Sequence, residues 1–120
     1  MKFRGTFVFA TSMFISSITV LSSLSANAQS GIASVYSGEK TANGEYAHAD
    51  RLTAAHRTLP FGTRVLVTNV SSGRSVIVRI NDRGPFHSGR LVDLSYSAAY
   101  KLGYAGSGSA HVEVEAITRE

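Results

Sequence analysis

Three short segments hold most of the residues that could do chemistry. The first is Thr41-Ala42-Asn43-Gly44-Glu45 and the second is Thr53-Ala54-Ala55-His56. The third is Asn81-Asp82-Arg83-Gly84-Pro85, with Leu91-Val92-Asp93-Leu94-Ser95 shortly after it. Carboxylates at strand ends serve as general acids or bases where they are partly desolvated. Turn chemistry explains the same residues differently. Asn-Gly is a common turn, and an Asp before Arg-Gly-Pro bonds nearby backbone amides. Taken one at a time, each segment is explained by structure.

Composition removes other chemistries. The 120 residues include no cysteine. That excludes disulfides, thiolate metal sites, iron–sulfur clusters, thiol nucleophiles and a lipid-modified N-terminal cysteine. The four histidines show no close pair at ligand spacing, so neither a metal nor another cofactor is expected. His48, His87 and His111 read as surface residues. Twelve basic against eight acidic residues, in a chain 17% charged, make no nucleic-acid footprint.

The elements that must position these residues begin after a leader. Met-Lys-Phe-Arg opens the chain, an uncharged apolar and hydroxyl-rich run covers 5–24, and Ala26-Asn27-Ala28 follows. A basic start, an apolar run and a small-x-small site read as a secretory signal peptide over 1–28. Cleavage after Ala28 would leave 92 residues, 29–120, as one domain. Lys2 and Arg4 would leave with it, so ten basic and eight acidic residues remain, a net charge of +2. Many domains this small are held by disulfides, and this one has none. A closed barrel answers that shortage because it leaves no open sheet edge.

Short strands are predicted over 31–37, 52–56, 64–70, 75–80, 91–94 and 111–117. Val65 and Val67 alternate with Arg64, Leu66 and Thr68, Val76, Val78 and Ile80 with Ile77 and Arg79, and Val112 and Val114 with His111, Glu113 and Glu115. Asn-Asp-Arg-Gly-Pro is expected to end the fourth strand. Ser95 reads as a helix N-cap, Tyr96, Ala98, Ala99 and Leu102 have helical spacing, and Gly103 stops the helix. The class is mainly β, closed or nearly closed, with one short helix.

Together the segments resemble the RlpA (rare lipoprotein A) family of septal-ring lytic transglycosylases. The resemblance runs from Gly31 to about Ile117. It rests on Ala33-Ser34-Val35-Tyr36, Thr41-Ala42-Asn43-Gly44-Glu45, the block from Leu52 to Thr63, Val76 to Pro85, and Gly89 to Ser95. It implies a six-stranded double-psi β-barrel with one short helix. It also implies cleavage of peptidoglycan glycan strands, freed of stem peptides, to 1,6-anhydro ends. Asp82 is the foremost catalytic candidate, then Glu45, with His56 nearby. Tyr36, Asn43, Gly44, Arg83, Asp93 and Tyr96 are the expected substrate-binding residues; Tyr36 and Tyr96 would stack on sugar rings, and core or rim packing is their equal alternative. His56 has a second reading, as a hydrogen-bonded histidine at a strand end.

One carboxyl group suffices for that reaction. It protonates the leaving oxygen and then, as carboxylate, takes the proton of the attacking 6-hydroxyl. It must start protonated, which burial or a like charge favours. Arg83 beside Asp82 would oppose this if the two paired. Glu45 or Asp93 would push the other way. This chain has Val35 where many relatives have Trp, a shorter segment between Tyr36 and Thr41, no lipid-modified cysteine and no C-terminal SPOR domain. It is therefore expected to be a monomer released into the periplasm or exterior, without a stable membrane anchor. The alternatives are an expansin-like, non-catalytic glycan-binding or wall-loosening module, and an envelope interaction scaffold.

Overall fold

The structure, a computed structural model, describes residues 28–36, 41–45 and 51–119. The leader expected at 1–28 lies, up to Asn27, outside the described residues. Six strands and one helix follow in the order β1 (Gln29–Val35), β2 (Thr53–His56), β3 (Thr63–Asn69), β4 (Ser75–Asp82), β5 (Arg90–Leu94), α1 (Tyr96–Leu102) and β6 (Ser109–Arg119). They close into a barrel in the order β1-β5-β2-β4-β3-β6. β1–β5 and β2–β4 run parallel, and the other neighbours run antiparallel.

Strand periodicity builds the core. Val65 and Val67 from β3, Val78 and Ile80 from β4, Val92 and Leu94 from β5, and Val112 and Val114 from β6 are all buried inside. Burying each such side chain contributes about 1.5–3 kcal/mol. The predicted helix is present with both caps: Ser95 Oγ accepts from the Ala98 amide, and Gly103 ends it at φ +89°. Ala98, Ala99 and Leu102 are buried, and the buried Tyr104 hydroxyl donates to the Ser34 carbonyl at 3.0 Å.

Each strand differs from expectation at one end or both, and three of them, β1, β4 and β6, by two residues. β1 starts at Gln29 and ends at Val35, because its polar first residues pair with β6 from Gln29 onward. β6 runs from Ser109 to Arg119, since its ladders with β1 and β3 reach both ends. β4 continues through Asn81 and Asp82, where the sequence predicts its end. The cause is a bulge. Ala54 pairs with Ile80 and the next residue, Ala55, pairs with Asp82, so Asn81 is the extra residue. Strict alternation would put Asp82 on the core face with Val78 and Ile80. The bulge turns it to the outer face with Arg79.

Candidate active site

The bulge assembles a row across four adjacent strands. Ser34 on β1 pairs with Asp93 on β5, Asp93 with Ala55 on β2, and Ala55 with Asp82 on β4. One pairing step along, Thr53 lies opposite Arg79 on the same face. Ser34 Oγ donates to Asp93 Oδ1. Asp93 is thus engaged toward β1, away from Asp82. Tyr36 follows β1 and reaches across β5, its hydroxyl bonded to Thr53 Oγ1. Burial raises the Tyr36 phenol above its ordinary pKa; the Thr53 bond and Arg79 oppose this, and the charges of Asp82 and Asp93 add to it. The tyrosine therefore stays protonated beside the row.

Segment 41–45 runs back along the end of β4. The Ala42 amide donates to Asp82 Oδ1 at 2.8 Å, and the Asn43 amide to the Asn81 carbonyl at 3.3 Å. Arg79 meets Glu45 through both terminal nitrogens, at 3.0 and 3.3 Å. Asn81 Nδ2 adds a bond to Glu45 Oε1 at 3.1 Å. The Arg79 and Asn81 bonds hold the Glu45 carboxyl below the usual carboxylate range, so it stays ionised. The turn is shaped locally. Asn43 Oδ1 accepts from the Glu45 amide and the Thr41 hydroxyl, and Gly44 sits at φ +94°, where glycine is favoured. Asn43 and Gly44 thus form the turn that aims Glu45 and delivers the Ala42 amide to Asp82.

Asp82 Oδ1 also accepts from the Arg83 amide at 2.8 Å. Both bonds fall on Oδ1, and Oδ2 has no partner among the described residues. The Arg83 guanidinium turns away, donating to the carbonyls of His56 and Leu59 at 3.0 and 2.8 Å and lying 4.1 Å from the Phe61 ring centroid. Arg57 ties the same turn to the loop after β4 through the Pro85 and Arg90 carbonyls. His56 is buried within this clasp. Its Nδ1 accepts from the Thr58 and Leu59 amides at 3.1 Å, so Nε2 carries the hydrogen and donates to Gln29 Oε1 at 3.1 Å. Burial, then the charges of Arg83 and Arg57, depress its pKa, and the ring is neutral.

The structure therefore gathers Tyr36, Asn43, Gly44, Glu45, Asp82 and Asp93 around one outer face. It commits His56 and Arg83 to contacts within the chain, just behind Asp82. Tyr96 lies apart, on α1. Arg79, Thr53 and Ser34 join the site without having been named as candidates. The signal for Arg79 was present: it is the one charge in the run from Ser75 to Ile80. Asn81 is buried, and its Oδ1 is the one buried side-chain polar atom without a partner among the described residues.

The sequence that builds this site matches a known family. The family described as lytic transglycolase, on a double-psi β-barrel, matches residues 28–114. A probable endolytic peptidoglycan transglycosylase RlpA from Nostoc is 57% identical over 95 residues, covering 74% of this chain and 26% of that protein. The chain belongs to the RlpA family. The Vibrio cholerae endolytic peptidoglycan transglycosylase RlpA is 52% identical over 94 residues, covering 75% of this chain and 36% of its own. This RlpA-family chain thus spans about a quarter to a third of those two curated relatives. Among solved structures, an expansin of Clavibacter michiganensis in complex with cellohexaose aligns with a TM-score of 0.60 at 26% identity, over 76% of this chain and 50% of that one.

Proposed function

We propose that this domain is an endolytic peptidoglycan transglycosylase that works in the cell envelope. It cleaves the β-1,4 bond from N-acetylmuramic acid to N-acetylglucosamine, preferentially in denuded strands, with Asp82 as general acid/base. The chain reaches the envelope by export behind the leader at 1–28 and acts there as a monomer. One observation carries the reading: the Asn81 bulge turns Asp82 outward with Oδ2 unpartnered among the described residues, while Glu45 is held by Arg79 and Asp93 by Ser34.

The steps follow from that geometry. The Asp82 carboxylic acid gives its proton to the glycosidic oxygen, and the bond from that oxygen to the muramic anomeric carbon breaks. The muramic 6-hydroxyl then bonds to the anomeric carbon, and its proton passes to the Asp82 carboxylate. The acid is restored and no water is consumed. Hydrolysis would need a second free carboxylate as base or nucleophile. In this reading Glu45 and Arg79 fix the loop over the row, and Tyr36 and Asp93 line the sugar path. His56 and Arg83 are positioning residues that hold the turn behind Asp82.

A second reading is a wall-loosening module without turnover, favoured by the likeness to the expansin solved with cellohexaose. Mass spectrometry of denuded strands separates the two. Anhydro-muramic ends that disappear in Asp82→Asn support the enzyme, with an expected loss of at least about a hundredfold for a general acid/base. Full activity in that variant sinks the assignment of Asp82. Reducing ends instead of anhydro ends mean hydrolysis, and intact strands that still bind mean the expansin-like reading.

A further inference from the structure

We propose that a groove beside α1 is a second glycan-binding surface, which holds the anionic sugar polymer while the row cuts it. This rests on the peptidoglycan reading above and deepens it. The groove has a volume of about 740 Å³, and its walls include Tyr96, Tyr100, Arg74 and Lys101.

Helical spacing puts Tyr96 and Tyr100 side by side, four residues apart. Their rings stack with centroids 6.5 Å apart and planes 24° apart. The helix packs through Ala98, Ala99 and Leu102, so the tyrosines are left in water, 52% and 68% exposed. Neither hydroxyl has a partner among the described residues. Two large rings paired on the surface, adding nothing to the core, form a platform. The C–H face of a pyranose packs on such a ring while its hydroxyls stay wet.

The charges choose which glycan. Arg74 lies against the end of α1, where a Cβ at Gly103 would meet its Nη1 at 2.9 Å. Glycine there leaves the guanidinium its place. Among the described residues the one ion pair is Arg79–Glu45, so Arg74 and Lys101 have no carboxylate partner. No residue lining the groove is acidic. A neutral glucan would use the rings alone, and an acidic peptide the cations alone. A strand carrying a muramic carboxylate on alternate sugars uses both.

The groove is separate from the row. Its walls include none of Glu45, Asp82 and Asp93. Arg74 precedes β4 and Asp82 ends it. Eight residues of extended chain separate them by roughly 25 Å. A polymer spans both surfaces; a short oligosaccharide occupies one.

Tyr100→Ala, Tyr100→Phe and Lys101→Gln in the full chain test this, with Asp82→Asn added so that cutting does not interfere. Co-sedimentation is measured with insoluble denuded peptidoglycan strands, chitin and anionic vesicles. Tyr100→Ala should weaken strand binding about fivefold or more, and Tyr100→Phe should retain it. Lys101→Gln should reduce the preference for muramic strands over chitin at low salt, Arg74 retaining the rest, and that preference should fade in the parent as salt rises. With Asp82 intact, turnover of short soluble oligosaccharides should be unchanged in Tyr100→Ala. Equal strand binding by Tyr100→Ala overturns the proposal, and so does an equal loss of binding to vesicles. If the parent binds strands through Tyr100 but cuts none, the groove stands and the transglycosylase reading falls.

Discussion

Asp82 and Asp93 face the same way, one strand to either side of Ala55. Two strand spacings put their Cα atoms about 10 Å apart. Neither neighbour in sequence explains this. β2 meets β4 in parallel and β5 in antiparallel register, and the bulge at Asn81 sets which face Asp82 takes. The two acids then differ in what they touch. Asp93 is bonded by a hydroxyl, and Asp82 by two backbone amides on a single oxygen. That difference is what the proposed assignment of Asp82 as the acid/base rests on.

Ala55 is the floor between them. Ala55 is itself buried, at 2% exposure, so a larger side chain there overpacks the row and displaces the acids on either side of it. Ala55→Val should lower kcat/KM on denuded strands at least tenfold, with an overpacking cost of about 1–3 kcal/mol in a melt. Ala55→Ser should keep most of the activity. Equal kcat/KM for Ala55→Val and the parent would remove the row from the substrate path.

Arg79 and Glu45 form a half-exposed pair, at 37% and 44% side-chain exposure, so its net stability contribution is at most about 1 kcal/mol. Its effect is expected in catalysis, through the loop that carries the Ala42 amide to Asp82. Arg79→Met should change the melting temperature little and cut turnover at least tenfold. Because folding lowers the Glu45 pKa, its small contribution is present above the unfolded value of about 4.3 and fades as pH falls through the folded one. Urea titrations at pH 3 and pH 7 should show that increment in the parent and not in Arg79→Met.

Much of this fold is legible in the chain. Alternating valines marked β3 and β4, and Ser95 and Gly103 bracketed α1. The bulge was not legible. A period of two assigns Asp82 to the core side, and no local residue type announces the extra Asn81. The row was hidden as well, since its members come from strands distant in sequence and joined by parallel crossings. Arg79 reads as an ordinary outward charge until segment 41–45 is laid beside it. Arg83 reads as a partner for Asp82 because they are adjacent, yet its guanidinium goes to two carbonyls across the β2 turn.

Gly44 offers a test with little steric confusion. Its φ is +94°, and a Cβ there would meet nothing within 4 Å among the described residues. Gly44→Ala therefore costs only conformational free energy, about 1–2 kcal/mol. That cost acts on the turn that supplies the Ala42 amide to Asp82. Turnover should fall severalfold more than the change in melting temperature accounts for. A proportionate change in both would reduce Gly44 to a plain turn residue.

His56 separates positioning from proton transfer. Its Nδ1 accepts two backbone amides, and protonation would take that acceptor away. Folding depresses its pKa, through burial and then the charges of Arg83 and Arg57. The unfolded chain therefore takes up a proton at a pH where the folded chain does not. The stability this gives is full above about pH 6.5 and is lost as pH falls from there through the folded value. His56→Ala should lower stability at pH 7.5 by about 1–3 kcal/mol, because two buried amides lose their acceptor. It should also flatten stability between pH 7 and pH 5. His56→Gln, whose side-chain oxygen can accept, should recover part of the stability and of the turnover. A proton-transfer role for the imidazole predicts no such recovery of turnover, so the His56→Gln rate is the measurement that decides between them.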